Sequence, residues 1–167
     1  MRIGRKMNQK GFTAIELLIA IILLIIVSAA ATPFFLGPIQ NYRLRTAAWQ
    51  VAGDLRLARQ KSVASGRPFK LTFKDRTAST DPNSYIIQRQ EVSGTWTGDP
   101  APRIYLQTSG GPTYVMIDST SPPGGGVINF SANGTVPTAG TIRLVDGREK
   151  RYDVVVNSMG RVRVTKL

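Results

Sequence analysis

The chain has 167 residues, carries a formal net charge of +12 and contains neither cysteine nor histidine. No disulfide can brace a domain, and the usual zinc sites and histidine-based catalytic triads are excluded. The length fits one membrane helix plus one domain of about 100 residues, and the cationic excess suits a polyanion or an anionic membrane surface.

The first residues form a short basic leader with Arg2, Arg5, Lys6 and Lys10 and no acid. Gly11-Phe12-Thr13-Ala14-Ile15-Glu16 follows, and then an apolar run from Leu17 to Leu36 interrupted only by Ser28, Thr32 and Pro33. About 20 such residues span a bilayer as a helix. The cationic leader keeps the N-terminus cytoplasmic and sends the rest of the chain across the inner membrane. An ordinary secretory signal places its small residue after the apolar block; here Gly11 precedes it. Cutting after Gly11 removes four cations and no acid, which brings +12 to +8, and leaves the apolar segment attached.

Such a cut gives Phe12 a new α-amine four residues before Glu16. A carboxylate beside hydrocarbon costs a few kcal/mol and needs a reason. Glu16 can cap the first helical turn in the headgroup layer, where the helix dipole favours an anion. It can instead neutralise the Phe12 amine of a neighbouring subunit and so set the axial register of a filament.

The segment from Lys10 to Ile19 resembles the class III signal of type IV pilins and type II secretion pseudopilins. The resemblance implies a prepilin peptidase that cuts between Gly11 and Phe12 and methylates Phe12, with Glu16 serving filament assembly. Ala14 stands where leucine is commoner, which leaves the apolar face intact.

Further along, Pro33 removes one helical hydrogen bond and should kink the helix, and Gly37-Pro38 is a second weak point. From Gln40 to Ser65 the pattern is amphipathic. Leu44, Ala48, Val51, Leu55 and Ala58 make one stripe, with Arg43, Arg45, Asp54, Arg56, Arg59 and Lys61 on other faces. Gly66-Arg67-Pro68 stops the helix. The period then becomes alternating. Strands are expected at Phe69–Phe73, Tyr85–Gln90, Arg103–Leu106, Tyr114–Ile117, Val127–Phe130, Thr141–Val145, Tyr152–Asn157 and Arg161–Lys166. Turn-rich stretches at Thr77–Ser84, Gly94–Pro102 and Ser119–Gly126 separate several of them. Trp49 reads as a packing residue beneath the sheet and Trp96 as a loop anchor.

The expected organisation is a leader (1–11), a spanning or filament-core helix half (12–36), an amphipathic helix half (37–66) and a β-rich periplasmic or extracellular domain (67–167). The fold class is α+β: one long helix laying its stripe on one face of a mostly antiparallel sheet.

Two further stretches carry a resemblance. Ala47 to Gln60 on the helix, and Val127 to Val164 with Asn133-Gly134-Thr135 and Asn157-Ser158-Met159-Gly160, are similar to the GspH/FimT family of minor pilins and pseudopilins. This implies a type IV pilin-like fold. It also implies a life first in the inner membrane and then in a pilus or pseudopilus, with other pilins or pseudopilins and the peptidase as partners.

The ten acids are scattered, without a pair suited to acid/base work, and Gly124-Gly125-Gly126 lacks the lysine and helix of a phosphate loop. No enzymatic activity, cofactor or metal is expected. The last 25 residues hold seven cations against three acids. In an extended strand Arg161 and Arg163 share one side while Val162 and Val164 face the core. Two co-facing guanidiniums can grip phosphates, and Lys150 and Arg151 on a nearby hairpin turn would widen the patch. Gly160-Arg161-Val162-Arg163 resembles the GRxR motif of FimT-like minor pilins that bind double-stranded DNA during uptake. The competing reading is a charged edge strand that discourages unwanted pairing. That reading goes with a GspH-like pseudopilin of a type II secretion system without DNA binding.

Overall fold

The computed structural model describes residues 12–98, 104–106, 115–121 and 126–167, with the backbone alone at 32–37 and 40. The leader with Gly11, the outer ends of the expected strands at Arg103 and Tyr114, and the Pro122-Pro123-Gly124-Gly125 loop lie outside the described residues, as does the side chain of Pro33. The chain divides into two compact units, Met1–Pro38 and Ile39–Leu167.

One helix, α1 (Ala14–Ser65), serves both units. Thr13 caps its start. The Thr13 hydroxyl accepts a hydrogen bond from the Glu16 amide at 3.3 Å, a donor that the first turn otherwise leaves open, and the Thr13 carbonyl accepts the first regular helical bond, from Leu17 at 3.2 Å. In the first unit Ala14–Ala31 has a mean hydropathy of 2.8, and none of it is buried. The helical assignment continues through Pro33 and Pro38, so neither proline ends the element. The helix stops at Gly66, whose φ of 62° gives the left-handed turn that glycine adopts at low cost.

The second unit takes in the amphipathic part of α1. Leu44, Ala48, Val51, Leu55 and Ala58, the stripe expected from their spacing, are fully buried there, and Ala52 is buried with them. Nine strands follow among the described residues: β1 (Phe69–Lys74), β2 (Ser84–Gln90), β3 (Trp96–Gly98), β4 (Ile104–Tyr105), β5 (Val115–Ser121), β6 (Val127–Phe130), β7 (Gly140–Asp146), β8 (Arg151–Val156) and β9 (Val162–Lys166). Every pairing is antiparallel.

The strands form two sheets where one was expected. The first has the order β3-β2-β1-β6, with β4 also on β2; the second has the order β5-β7-β8-β9. Alternation along a strand reports which side chains face the core and is silent on which strand is the neighbour. Leu71, Phe73, Tyr85, Ile128 and Phe130 of the first sheet and Ile117, Ile142, Leu144, Val154 and Val156 of the second join the helix stripe in one apolar cluster.

Asn83 stitches the sheets together. Its amide oxygen accepts from the Ile117 backbone at 3.1 Å and its carbonyl from Leu106 at 2.9 Å. Beside it, the Arg76 amide donates to the Ile117 carbonyl at 3.0 Å.

Three local expectations need correction. Trp96 belongs to β3 rather than to a loop, because the Glu91–Thr95 turn folds Trp96–Gly98 back onto β2. Ser119–Ser121 continues β5 past the expected end of that strand, beyond a register shift after Ile117. Trp49 is half-exposed, at 49%. It lies one residue off the buried stripe, and Arg56 sits over its ring at 5.7 Å.

Candidate functional site

Two regions carry the residues singled out by sequence. At the helix start, Phe12 is 86% exposed. The Glu16 amide is used by the Thr13 cap, whereas its carboxylate has no partner among the described residues. Thr13 itself was not foreseen as the cap, although Thr13-x-x-Glu16 is the spacing of a capping box. The helix face that follows is apolar on every side. Ile15, Leu17, Leu18, Ile19 and Ile21 through Val27 are all about half exposed or more, from 48% to 66%.

The second region is the β8–β9 hairpin. Its turn, Asn157–Gly160, is closed by the Gly160 amide donating to the Asn157 carbonyl at 2.9 Å. The Asn157 amide donates to the Arg161 carbonyl at 3.1 Å. The Asn157 side-chain oxygen then accepts from the Arg161 amide at 2.8 Å. Gly160 has φ 74°, and a Cβ there would run into the Gly134 carbonyl and into Arg59 of the helix. Arg59 Nε donates to that same Gly134 carbonyl at 3.1 Å. One residue-turn along α1, Arg56 donates to the Val162 carbonyl at 3.2 Å. Arg56 thus pins the hairpin end to the helix, and Arg59 pins the adjoining Gly134 turn beside it.

This brings Arg161 and Arg163 together as expected. With Val155 and Asn157 they line a shallow cleft of about 230 Å³. Val162 is buried and Val164 packs on the core, so the strand's parity holds. Both arginines are exposed, and neither has a charged or hydrogen-bonding side-chain partner among the described residues. Arg143 provides the contrast. It makes a two-pronged contact to Asp153 at 2.9 Å for each bond. That contact raises the Arg143 pKa above its ordinary value, through the hydrogen bond first and the charge second.

Lys150 and Arg151 do not widen the cleft. The Lys150 ammonium donates to the Asn41 side-chain oxygen at 2.6 Å, at the other end of the sheet. Arg151 shares the outer face of β8, but it lies four residues from Val155, about 13 Å along the strand. The Arg143–Asp153 pair stands between them. Hairpin connectivity put these residues near Arg161 in sequence; the length of β8 separates them in space. Trp96 is on the other sheet, and the Lys70 ammonium covers its ring at 4.3 Å, so that ring face is already occupied. Among the described residues no group of three or more acidic side chains could hold a metal ion.

Residues 47–160 match the family described as Type II transport protein GspH. The chain belongs to the GspH family. Its first residues, 6–32, match the prokaryotic N-terminal methylation motif. Among solved structures this GspH-family chain is similar to the minor pseudopilin EpsH of the Vibrio cholerae type 2 secretion system. That match has a TM-score of 0.58 and 15% identity, and covers 74% of this chain and 97% of that one. It is also similar to the type IV minor pilin FimU of Pseudomonas aeruginosa, with a TM-score of 0.55 and 18% identity over 75% of this chain and 90% of that one. At these identities the likeness shows the fold: the pilin and pseudopilin arrangement of an apolar N-terminal helix with an antiparallel β domain. No curated protein matches the sequence at a significant level. As a GspH-family member the chain is a minor pilin or pseudopilin of a type IV pilus or type II secretion system.

Proposed function

We propose that the chain is a filament subunit made as a precursor. It waits in the inner membrane with its N-terminus in the cytoplasm, loses its leader between Gly11 and Phe12 to a prepilin peptidase, is methylated on Phe12, and then joins other pilins or pseudopilins. The observation that carries this reading is the apolar helix Ala14–Ala31, none of it buried, within the methylation motif. A helix apolar on all sides has no place in water; it needs lipid or other helices. Moving it from lipid into a bundle gains little hydrophobic energy, so close packing must hold it. Ala20, Ser28 and Ala29 through Ala31 permit that approach. The Glu16 carboxylate, without a partner among the described residues, supports a bond to the Phe12 amine of the next subunit. Mass spectrometry of the native protein tests the scheme. A mature chain starting at methylated Phe12 is expected, and an intact precursor overturns it.

A second reading concerns the Arg161–Arg163 cleft. Two guanidiniums without a side-chain partner among the described residues, over an apolar and amide floor, suit the phosphates of double-stranded DNA, bound without regard to sequence. A mobility-shift titration at low salt tests it. Retarded duplex supports DNA capture; absence of retardation leaves the chain a GspH-like pseudopilin without DNA binding.

A further inference from the structure

The end of the second unit opposite the Gly160 turn gathers cations and tyrosines from four separate stretches of chain. Tyr42 and Arg43, just inside the unit's start, line a cleft of about 240 Å³ with Tyr105 and Val115. Val115 pairs with Asp146, which opens the β7–β8 turn. That turn carries Arg148 and Lys150, both exposed, and the Lys150 ammonium reaches back to Asn41 at 2.6 Å. The C-terminus closes the group: Lys166 pairs with Tyr152, and Leu167 donates to the Arg151 carbonyl at 3.1 Å. Tyr42 is 71% exposed and Tyr105 56%. Cations outnumber acids here. The acids among the described residues are Asp81, which accepts from the Tyr105 hydroxyl at 3.1 Å and pairs with Lys74, Asp118, which pairs with Arg76 at 3.0 Å, Glu149 and the buried Asp146, one of whose oxygens is already committed to the Arg148 and Lys150 amides.

Chain length places this end. Hydrocarbon about 30 Å thick takes roughly 20 helical residues, and a headgroup layer of about 5–7 Å takes four or five more. If Leu17–Leu36 fills the hydrocarbon, the helix leaves the headgroups at about Asn41. Tyr42 and Arg43 then stand at the outer edge of the headgroup layer, where their long side chains can reach back to the phosphates and where tyrosine and cationic side chains are favoured.

We infer that this end face docks on anionic phospholipid headgroups of the outer leaflet of the inner membrane, holding the β domain down on the bilayer until the subunit is drawn into a filament. Tyr42 and Tyr105 lie in the interfacial layer. Arg43, Arg148, Lys150 and Lys166 meet lipid phosphates. This rests on the spanning reading of α1.

The absence of cysteine makes the test direct. The full-length chain is placed in lipid nanodiscs with an environment-sensitive fluorophore on Gly147→Cys, in the β7–β8 turn, or on Ser158→Cys, at the opposite end. Nanodiscs of phosphatidylcholine are compared with others containing phosphatidylglycerol. The probe at 147 is expected to brighten with anionic lipid while the probe at 158 does not. Combining Arg148→Glu and Lys150→Glu should raise the phosphatidylglycerol needed for half the response by at least about fivefold per cation lost. High salt should have the same effect in the unsubstituted chain. Unchanged far-ultraviolet dichroism in the variant assigns the loss to charge rather than unfolding. Equal brightness at 147 in both lipids, from a chain that has entered the discs, overturns the docking. A chain that fails to enter any disc overturns the spanning reading and the docking with it.

Discussion

The Nε of Arg59 on the helix donates to the carbonyl of Gly134 at 3.1 Å, and this one bond sits between two turns that belong to different sheets. Gly134 closes the turn after β6, and Gly160 closes the turn before β9. The Val136 amide donates to the Ser158 carbonyl at 2.9 Å, which ties the turns directly. Gly160 therefore has no room for a side chain, and its left-handed backbone disfavours one as well. Gly160→Ala is expected to cost about 1–3 kcal/mol from backbone strain, with a further cost from the collision at Arg59. A lowered urea midpoint of the full chain in detergent would show it; an unchanged midpoint would mean that the turns can move apart.

If the Arg161–Arg163 cleft binds DNA, the dependence of affinity on salt counts the phosphate contacts. Replacing both residues with alanine should flatten the logarithmic salt slope by roughly 1.8, about 0.9 per contact. Arg143→Ala should leave the slope alone, because its guanidinium is held by Asp153. Filter-binding titrations at several salt concentrations separate the two.

Tyr85 is fully buried, and its hydroxyl donates to Asp54 of the helix at 2.5 Å. Burial first, and then the Asp54 hydrogen bond and charge, push its pKa far above the ordinary value of 10.0. The folded state keeps this proton while the unfolded chain releases it near the ordinary value. Stability from the buried phenol is therefore complete below that pH and falls as pH rises beyond it. Denaturant midpoints measured from neutral to strongly alkaline pH should decline for the native chain. They should decline less steeply for Tyr85→Phe, which starts lower by about 1–3 kcal/mol for the lost buried bond.

Leu55 lies at the centre of the helix stripe with no exposed surface. Leu55→Ala should destabilise the β domain by about 2–5 kcal/mol, while Leu57→Ala, on the exposed side of the same turn, should cost far less. Thermal unfolding of the two variants checks the contrast.

Glu16→Gln keeps the helix start, since the Thr13 cap uses the residue-16 amide rather than its side chain. The variant should enter the membrane and still be processed after Gly11, yet be missing from sheared filaments. Immunoblots of membrane and filament fractions would reveal normal incorporation if the carboxylate has no role between subunits.

Much of this architecture could be read from residue order because the relevant signals are local. The four-three spacing from Leu44 to Ala58 identified the buried helix face, and two-residue parity put Val162 inside and Arg163 outside. Gly66 marked the helix end. What escaped depends on distant partners. Nothing near Trp96 says that its three residues will lie along β2, and no local pattern divides the strands into two sheets around Asn83. Lys150 and Arg161 are 11 positions apart, but β8 carries them to opposite ends of the hairpin. Arg56 and Arg59 appeared only as the solvent face of the helix; their hold on the Val162 and Gly134 carbonyls spans the whole sequence of the β domain.

Strand β9 is the last strand of its sheet, and such a border invites a copy of the molecule to add its own strand. Arg56 occupies the Val162 carbonyl on that border. A stray subunit cannot begin zipping there without first displacing a helix arginine, which guards the β domain against edge-to-edge aggregation.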